Sequence, residues 1–192
     1  MKTWHLAWLI VAALSCEAKT SVAGLRERAD EGNAEAKAPV ADLRERADQR
    51  LAEAQFNLGY AYYAGEGVTQ DSVEAVKWWR KAAAQGYANA QFNLGFAYYK
   101  GEGVAQDYVE SVKWFRKAAD QGDATAQLKL GLAYDEGKGV TQDYAEAHKW
   151  YNLSAAAGNT IAGELRDIVA QKMTPEQIAE AQRLAREWKP KE

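Results

Sequence analysis

GEGVTQDSVEAVKWWRKAAAQG, running from Gly65 to Gly86, is written again as GEGVAQDYVESVKWFRKAADQG from Gly101 to Gly122 and as GKGVTQDYAEAHKWYNLSAAAG from Gly137 to Gly158. A segment repeated at a fixed period means that one structural element is built several times in a row. Upstream of each copy, AQFNLG begins at Ala54 and at Ala90, and AQLKLG at Ala126, a step of 36 residues each time (90−54, 126−90). The same step relates Gly59, Gly95 and Gly131, Tyr62, Tyr98 and Tyr134, Asp71, Asp107 and Asp143, Trp78, Trp114 and Trp150, and Gly86, Gly122 and Gly158.

Each unit predicts a pair of helices. In the first, Ala54, Leu58, Ala61 and Tyr62 recur at i, i+4, i+7 and i+8, one buried face at the helical period. Gly65 and Gly67 follow, residues able to take φ > 0 and so suited to a C-cap and a tight loop. Asp71 with Glu74, Asp107 with Glu110 and Asp143 with Glu146 have the D-x-x-E form of a capping box at the next helix start. The second helix then carries Ala75, Trp78 and Ala82 on its expected buried face and closes at Gly86. A single pair cannot bury its own apolar face, so neighbouring units must stack, with Trp114 in the central unit as the expected wedge.

The full pattern from Ala54 to Gly86, A-x-x-x-L-G-x-x-Y-x-x-G-x-G-V-x-x-D-x-x-x-A-x-x-W-x-x-x-A-A-x-x-G, resembles the Sel-1-like repeat of the tetratricopeptide superfamily. The third copy departs from it in having Ser154 for the first paired alanine, and it has Asp135 where the others have Tyr63 and Tyr99. The resemblance implies an all-α fold, a right-handed α-solenoid of stacked antiparallel helix pairs with capping helices. Its units are placed at 54–89, 90–125 and 126–161.

Both ends are atypical, as solenoid ends must be. LRERADEGNAEA from Leu25 and LRERADQRLAEA from Leu43 duplicate each other and resemble FRKAADQGDATA from Phe115, so residues 17–53 read as a degenerate helical cap. Pro39 is the expected helix start there, and Arg50 stands where a C-cap glycine belongs. Residues 162–192 read as C-terminal capping helices. Thr174, Pro175 and Gln177 open the last of them, and Ile178, Ala181, Leu184, Ala185 and Trp188 form its stripe over the final repeat.

MKTWHLAWLIVAALSC, residues 1–16, has a lysine, an apolar run and a small-residue end, the form of a secretory signal peptide. ALSC resembles a bacterial lipobox, although Ala13 stands where leucine is usual. Cys16 is the single cysteine and cannot form an internal disulfide, which favours lipidation there. Plain export with cleavage after Ser15 or Ala18 stays open. On either reading the chain is expected outside the cytoplasm, in the periplasm or cell envelope, touching membrane only through an N-terminal lipid.

Composition narrows the function classes. With 47% hydrophobic and 27% charged residues the chain is a folded domain, and 24 basic against 27 acidic residues, interleaved, give no basic face for nucleic acid. Beyond the leader it keeps one histidine, His148, which reads as a surface residue without a nucleophile or acid partner. No zinc-type ligand cluster and no phosphate loop are written in it, so no catalytic residues, metal or cofactor are expected. The resemblance brings one enzymatic alternative: cysteine-rich relatives have been described as β-lactamases or penicillin-binding proteins, but this chain lacks the cysteines that staple their repeats.

The resemblance also implies a concave surface lined by first helices. Aligned on Leu58-Gly59, its ligand-facing positions are Phe56, Asn57, Tyr60 and Tyr63, then Phe92, Asn93, Phe96 and Tyr99, then Leu128, Lys129, Leu132 and Asp135. Asn57 and Asn93 could pair with a peptide backbone, Lys129 with a carboxylate, and Tyr60, Tyr63, Phe96 and Tyr99 could supply apolar grip. Phe56 and Tyr60 also suit packing on the adjacent helix. The expected activity is therefore a non-enzymatic scaffold for a protein or peptide partner, with cell-wall glycan or muropeptide binding in the same groove as the alternative. The residues specify no oligomeric state.

Overall fold

Helix boundaries follow the repeat. The computed structural model describes residues 40–48 and 51–191; the leader, Cys16, the first LRERAD copy, Pro39 and Arg50 lie outside the described residues. Nine helices and no strand occur among the described residues: α1 (Val40–Asp48), α2 (Ala52–Ala64), α3 (Ser72–Ala84), α4 (Ala88–Lys100), α5 (Tyr108–Asp120), α6 (Ala124–Glu136), α7 (Tyr144–Ala156), α8 (Thr160–Ala170) and α9 (Pro175–Glu187). Each of α2 to α8 packs on the helix before it, and α9 packs on α7.

The first helices of the units, α2, α4 and α6, stop at Gly65, Gly101 and Gly137, whose φ of 74°, 75° and 68° lies in the left-handed region. The second helices, α3, α5 and α7, start where Asp71, Asp107 and Asp143 accept from the N–H of Glu74, Glu110 and Glu146 at 3.0, 3.0 and 3.1 Å. The expected capping boxes are only half made. The Asp N–H groups donate instead to the carbonyls of Tyr62, Tyr98 and Tyr134 at 2.8, 3.0 and 3.0 Å. Left without that donor, Glu74, Glu110 and Glu146 pair with Lys77, Lys113 and Lys149 at 2.8, 2.8 and 2.7 Å. At α9 the box formed by Thr174 and Gln177 is complete.

The core also corrects the expected aromatic. Trp79, Phe115 and Tyr151, one residue beyond the repeated tryptophans, are the side chains driven into the pair interface. A Cβ built on Gly59, Gly95 or Gly131 would stand 2.6, 2.7 or 2.6 Å from these rings, so only glycine lets the helices close. Ala75, Trp79 and Ala82 follow the helical spacing i, i+4, i+7, which turns Trp78 and Trp114 to the flank. There they are half-buried, with Lys81 Nζ 3.5 Å and Lys117 Nζ 4.2 Å from the ring centres. Trp150 is buried because Trp188 packs edge-on at 6.4 Å.

Units are joined by a repeated polar stitch that the sequence reading did not pick out. Gln55, Gln91 and Gln127 are buried and donate to the carbonyls of Ala47, Ala83 and Ala119 at 3.0, 3.3 and 3.3 Å. Arg44 and Arg80 donate to the hydroxyls of Tyr62 and Tyr98 at 2.6 and 2.9 Å, and Arg116 bonds Tyr134 in the same way. Because Arg44 and Ala47 take part, α1 is the second helix of a preceding partial unit, in keeping with its likeness to the tail of a repeat.

The array ends for a residue-level reason. α8 occupies the place of a fourth first helix, but Arg166 and Asp167 stand at the Leu130 and Gly131 positions (130+36, 131+36), so no further second helix can close on it. α9 turns back over α7 instead, burying Ala181 and Ala185 of its expected stripe. Beyond it Lys191 reaches Asp120, N–H to carbonyl at 2.7 Å and Nζ to Oδ2 at 2.6 Å.

Candidate ligand-binding face

The residues expected to meet a ligand lie on α2, α4 and α6, and the structure divides them into three kinds. Phe92 and Leu128 belong to the core, at 5% and 3% exposure. Asn57, Tyr60, Phe96 and Lys129 are half-buried, keeping part of their surface in solvent. Asn93, the middle member of the Asn57–Asn93–Lys129 row, is only 4% exposed, so a ligand would reach it only by displacing its cover. Phe96 stacks on Phe92 at 6.5 Å with Lys100 Nζ 5.8 Å above it.

Tyr63 and Tyr99 form the third kind, since each is occupied by the loop of the following unit. The Tyr63 hydroxyl donates to Glu102 at 3.2 Å, and its ring lies 5.5 Å from that of Trp79. Burial first, and the Glu102 carboxylate second, push the Tyr63 hydroxyl above its ordinary pKa. Tyr99 packs on Tyr108 at 5.5 Å, and Lys138 Nζ lies 5.6 Å over Tyr99 and 5.1 Å over Tyr108. In the third unit the pair becomes ionic, Asp135 with Lys172 at 3.0 Å. The two departures of the third copy thus belong to one bracket between units: Lys138 replaces the acid that meets the preceding tyrosine, and Asp135 meets the lysine that follows.

His148 is not a surface residue. It is 2% exposed, its Nδ1 has no partner, and burial first, then Arg166, lowers its pKa from the ordinary value. The expectation failed because Val76 and Val112 occupy the same register as His148 and are buried; the repeat itself carried that signal. Among the described residues no group of three or more His, Cys, Asp or Glu is placed to hold a metal ion, and no helix is long and apolar enough to cross a membrane.

Stacked helix pairs with buried inter-unit stitches and a half-open row along the first helices define an α-helical repeat scaffold, a class that typically serves protein interaction. The Sel1 repeat family model matches residues 52–87, 88–123 and 124–159, more than half of the chain, and the chain belongs to that family. A protective antigen of uropathogenic Escherichia coli with an SLR fold is similar over 78% of this chain and 32% of its own, at 39% identity and a TM-score of 0.71. A Sel1 repeat protein from Oxalobacter formigenes is similar over 59% of this chain and 47% of its own, at 46% identity and a TM-score of 0.58. Cysteine-rich protein B of Helicobacter pylori shares the fold at 21% identity and a TM-score of 0.53, over 67% of this chain and 98% of its own. The chain therefore spans about a third of the first of these proteins and about half of the second. No functionally curated protein matches it.

Proposed function

We propose that the protein is an exported, non-enzymatic scaffold that binds a protein or peptide partner at the bacterial cell envelope through the first-helix row. The observation that carries this reading is the division of labour within each unit. Trp79, Phe115, Tyr151 and the buried glutamines are consumed by packing, whereas Asn57, Tyr60, Phe96 and Lys129 remain partly open on α2, α4 and α6. An Asn side chain both donates and accepts, and so suits a peptide backbone beside aromatic surface. Burial of His148 supports the non-enzymatic part, since a general base must reach substrate. Export rests on the form of residues 1–16, with Cys16 as the lipid anchor, and the E. coli relative's description as a protective antigen fits an exported location.

The test is affinity capture from bacterial envelopes with the wild type and an Asn57→Ala/Lys129→Ala variant first shown to melt normally. Asn93 is left intact because its truncation would disturb packing. An envelope protein retained by the wild type and lost by the variant is the expected result; equal retention would refute the row as the binding surface. Membrane fractionation of a Cys16→Ser variant checks the anchor, with release into the soluble fraction expected.

A further inference from the structure

At successive junctions of the array, a valine of the second helix lies in the same core cluster as a leucine of the next first helix. Val76 shares a core cluster with Leu94, and Val112 shares one with Leu130. One period later both members have changed: the Val112 register is His148 on α7, and the Leu130 register is Arg166 on α8. Arg166 is held there by Asn152 of α7 at 3.2 Å and by Asp167 at 2.8 and 2.9 Å. His148 is 2% exposed with Nδ1 unpartnered, so this junction holds a buried imidazole and a guanidinium where valine and leucine stood before.

We propose that the burial of His148 at the junction that Arg166 spans makes the C-terminal cap acid-sensitive: protonation of His148 adds a second cation to that junction and loosens α8 from α7. Two charged groups of α8 act on His148: Arg166 opposes its protonation and Asp167 favours it. Asp167 is already engaged by two nitrogens of Arg166, so its compensation is shared. The sign follows from the direction of the shift. The folded state holds the imidazole below its ordinary value of 6.5, so the unfolded or detached state binds the proton more tightly. The junction contributes this stability in full above that value and loses it as pH falls toward the lower, folded value. Each unit of separation shifts the opening equilibrium by up to about tenfold. What α8 uncovers is the apolar surface of Leu128, Ala147 and Tyr151, to which Ala162 and Val169 are now packed.

Hydrogen exchange of the whole protein at pH 7.5 and 5.5, corrected for the intrinsic chemical rate, reads the opening. Peptides of α8 in the wild type are expected to lose protection, by at most about tenfold, relative to those of α4, and those of His148→Val to keep it. No loss in the wild type, or equal loss in the valine variant, overturns the proposal. An NMR titration of the imidazole signal that survives His5→Gln decides independently of how the valine variant folds. A midpoint below 6.5 is expected, and one at or above it rejects the idea.

Discussion

Gln121 Nε2 donates to Gln91 Oε1 at 2.8 Å and to the Gly86 carbonyl at 2.9 Å, closing the junction between the first and second units. Gln85 does the same for Gln55 at 2.8 Å. The third member of that register is Ala157, and Gln127 Oε1 accordingly lacks a hydrogen-bond partner. A buried acceptor left unmade carries a desolvation cost, and a typical made bond contributes about 1 kcal/mol.

Ala157→Gln is therefore expected to stabilise the protein by about 1 kcal/mol, a rise of about 2–4 °C in Tm for a domain of this size. Gln91→Leu, which takes away the donor to the Ala83 carbonyl and the acceptor of Gln121, is expected to lower it. Thermal melts by circular dichroism read both; an unchanged Tm for the glutamine variant would show that Gln127 is satisfied by solvent.

Two glycines predict opposite signs. A methyl on Gly95 would meet Phe115 Cδ1 at 2.7 Å, and Phe115 is 2% exposed with no room to yield. Gly95→Ala should cost about 1–2 kcal/mol, overpacking exceeding the gain in helix propensity. At Gly163 in α8 the nearest atom is Ala155 Cβ at 3.9 Å, so Gly163→Ala should stabilise by up to about 1 kcal/mol. Urea unfolding at constant m-value distinguishes them.

What was legible in the sequence is what local backbone chemistry dictates. Gly65, Gly101 and Gly137 stop helices because they adopt positive φ, and Asp71, Asp107 and Asp143 start them because a carboxylate meets free N–H groups. The choice between Trp78 and Trp79 was harder. A step of one residue turns a side chain by about 100° around the helix, and the repeat marks Trp78 by identity while Trp79, Phe115 and Tyr151 vary in type. The glutamine stitch bonds carbonyls eight residues back, in the preceding unit, so no single unit contains it, although Gln55, Gln91 and Gln127 were in plain register. On the ligand-binding row, alignment placed Asn57, Asn93 and Lys129 together, but Asn93 is buried where Asn57 and Lys129 keep part of their surface in solvent, a difference that the shared register does not encode.

The displaced wedge has its own consequence for stability. Phe115→Ala removes a side chain that touches Phe92 at 5.6 Å and fills the space above Gly95, and it should cost about 3–5 kcal/mol. Trp114→Ala, on the flank beside Lys117, should cost clearly less while still exceeding a surface change. Equal losses in denaturant unfolding would contradict the assignment of Phe115 as the buried member.

The half-made capping boxes separate two carboxylates that the sequence pairs. Asp107 accepts from the N–H of Glu110 at 3.0 Å and fixes the start of α5, so Asp107→Ala should cost about 1 kcal/mol. Glu110 does not return the bond, because the Asp107 N–H is bonded to the Tyr98 carbonyl at 3.0 Å. Its carboxylate meets Lys113 at 2.8 Å in an exposed pair, which is worth at most a few tenths of a kcal/mol and is screened by salt. Glu110→Gln should therefore change stability by less than about 0.5 kcal/mol, and the difference from wild type should vanish at high ionic strength. If Glu110→Gln instead matched Asp107→Ala in denaturant unfolding, the two carboxylates would be acting as one box, and the Tyr98–Asp107 bond could not be the contact that closes the loop.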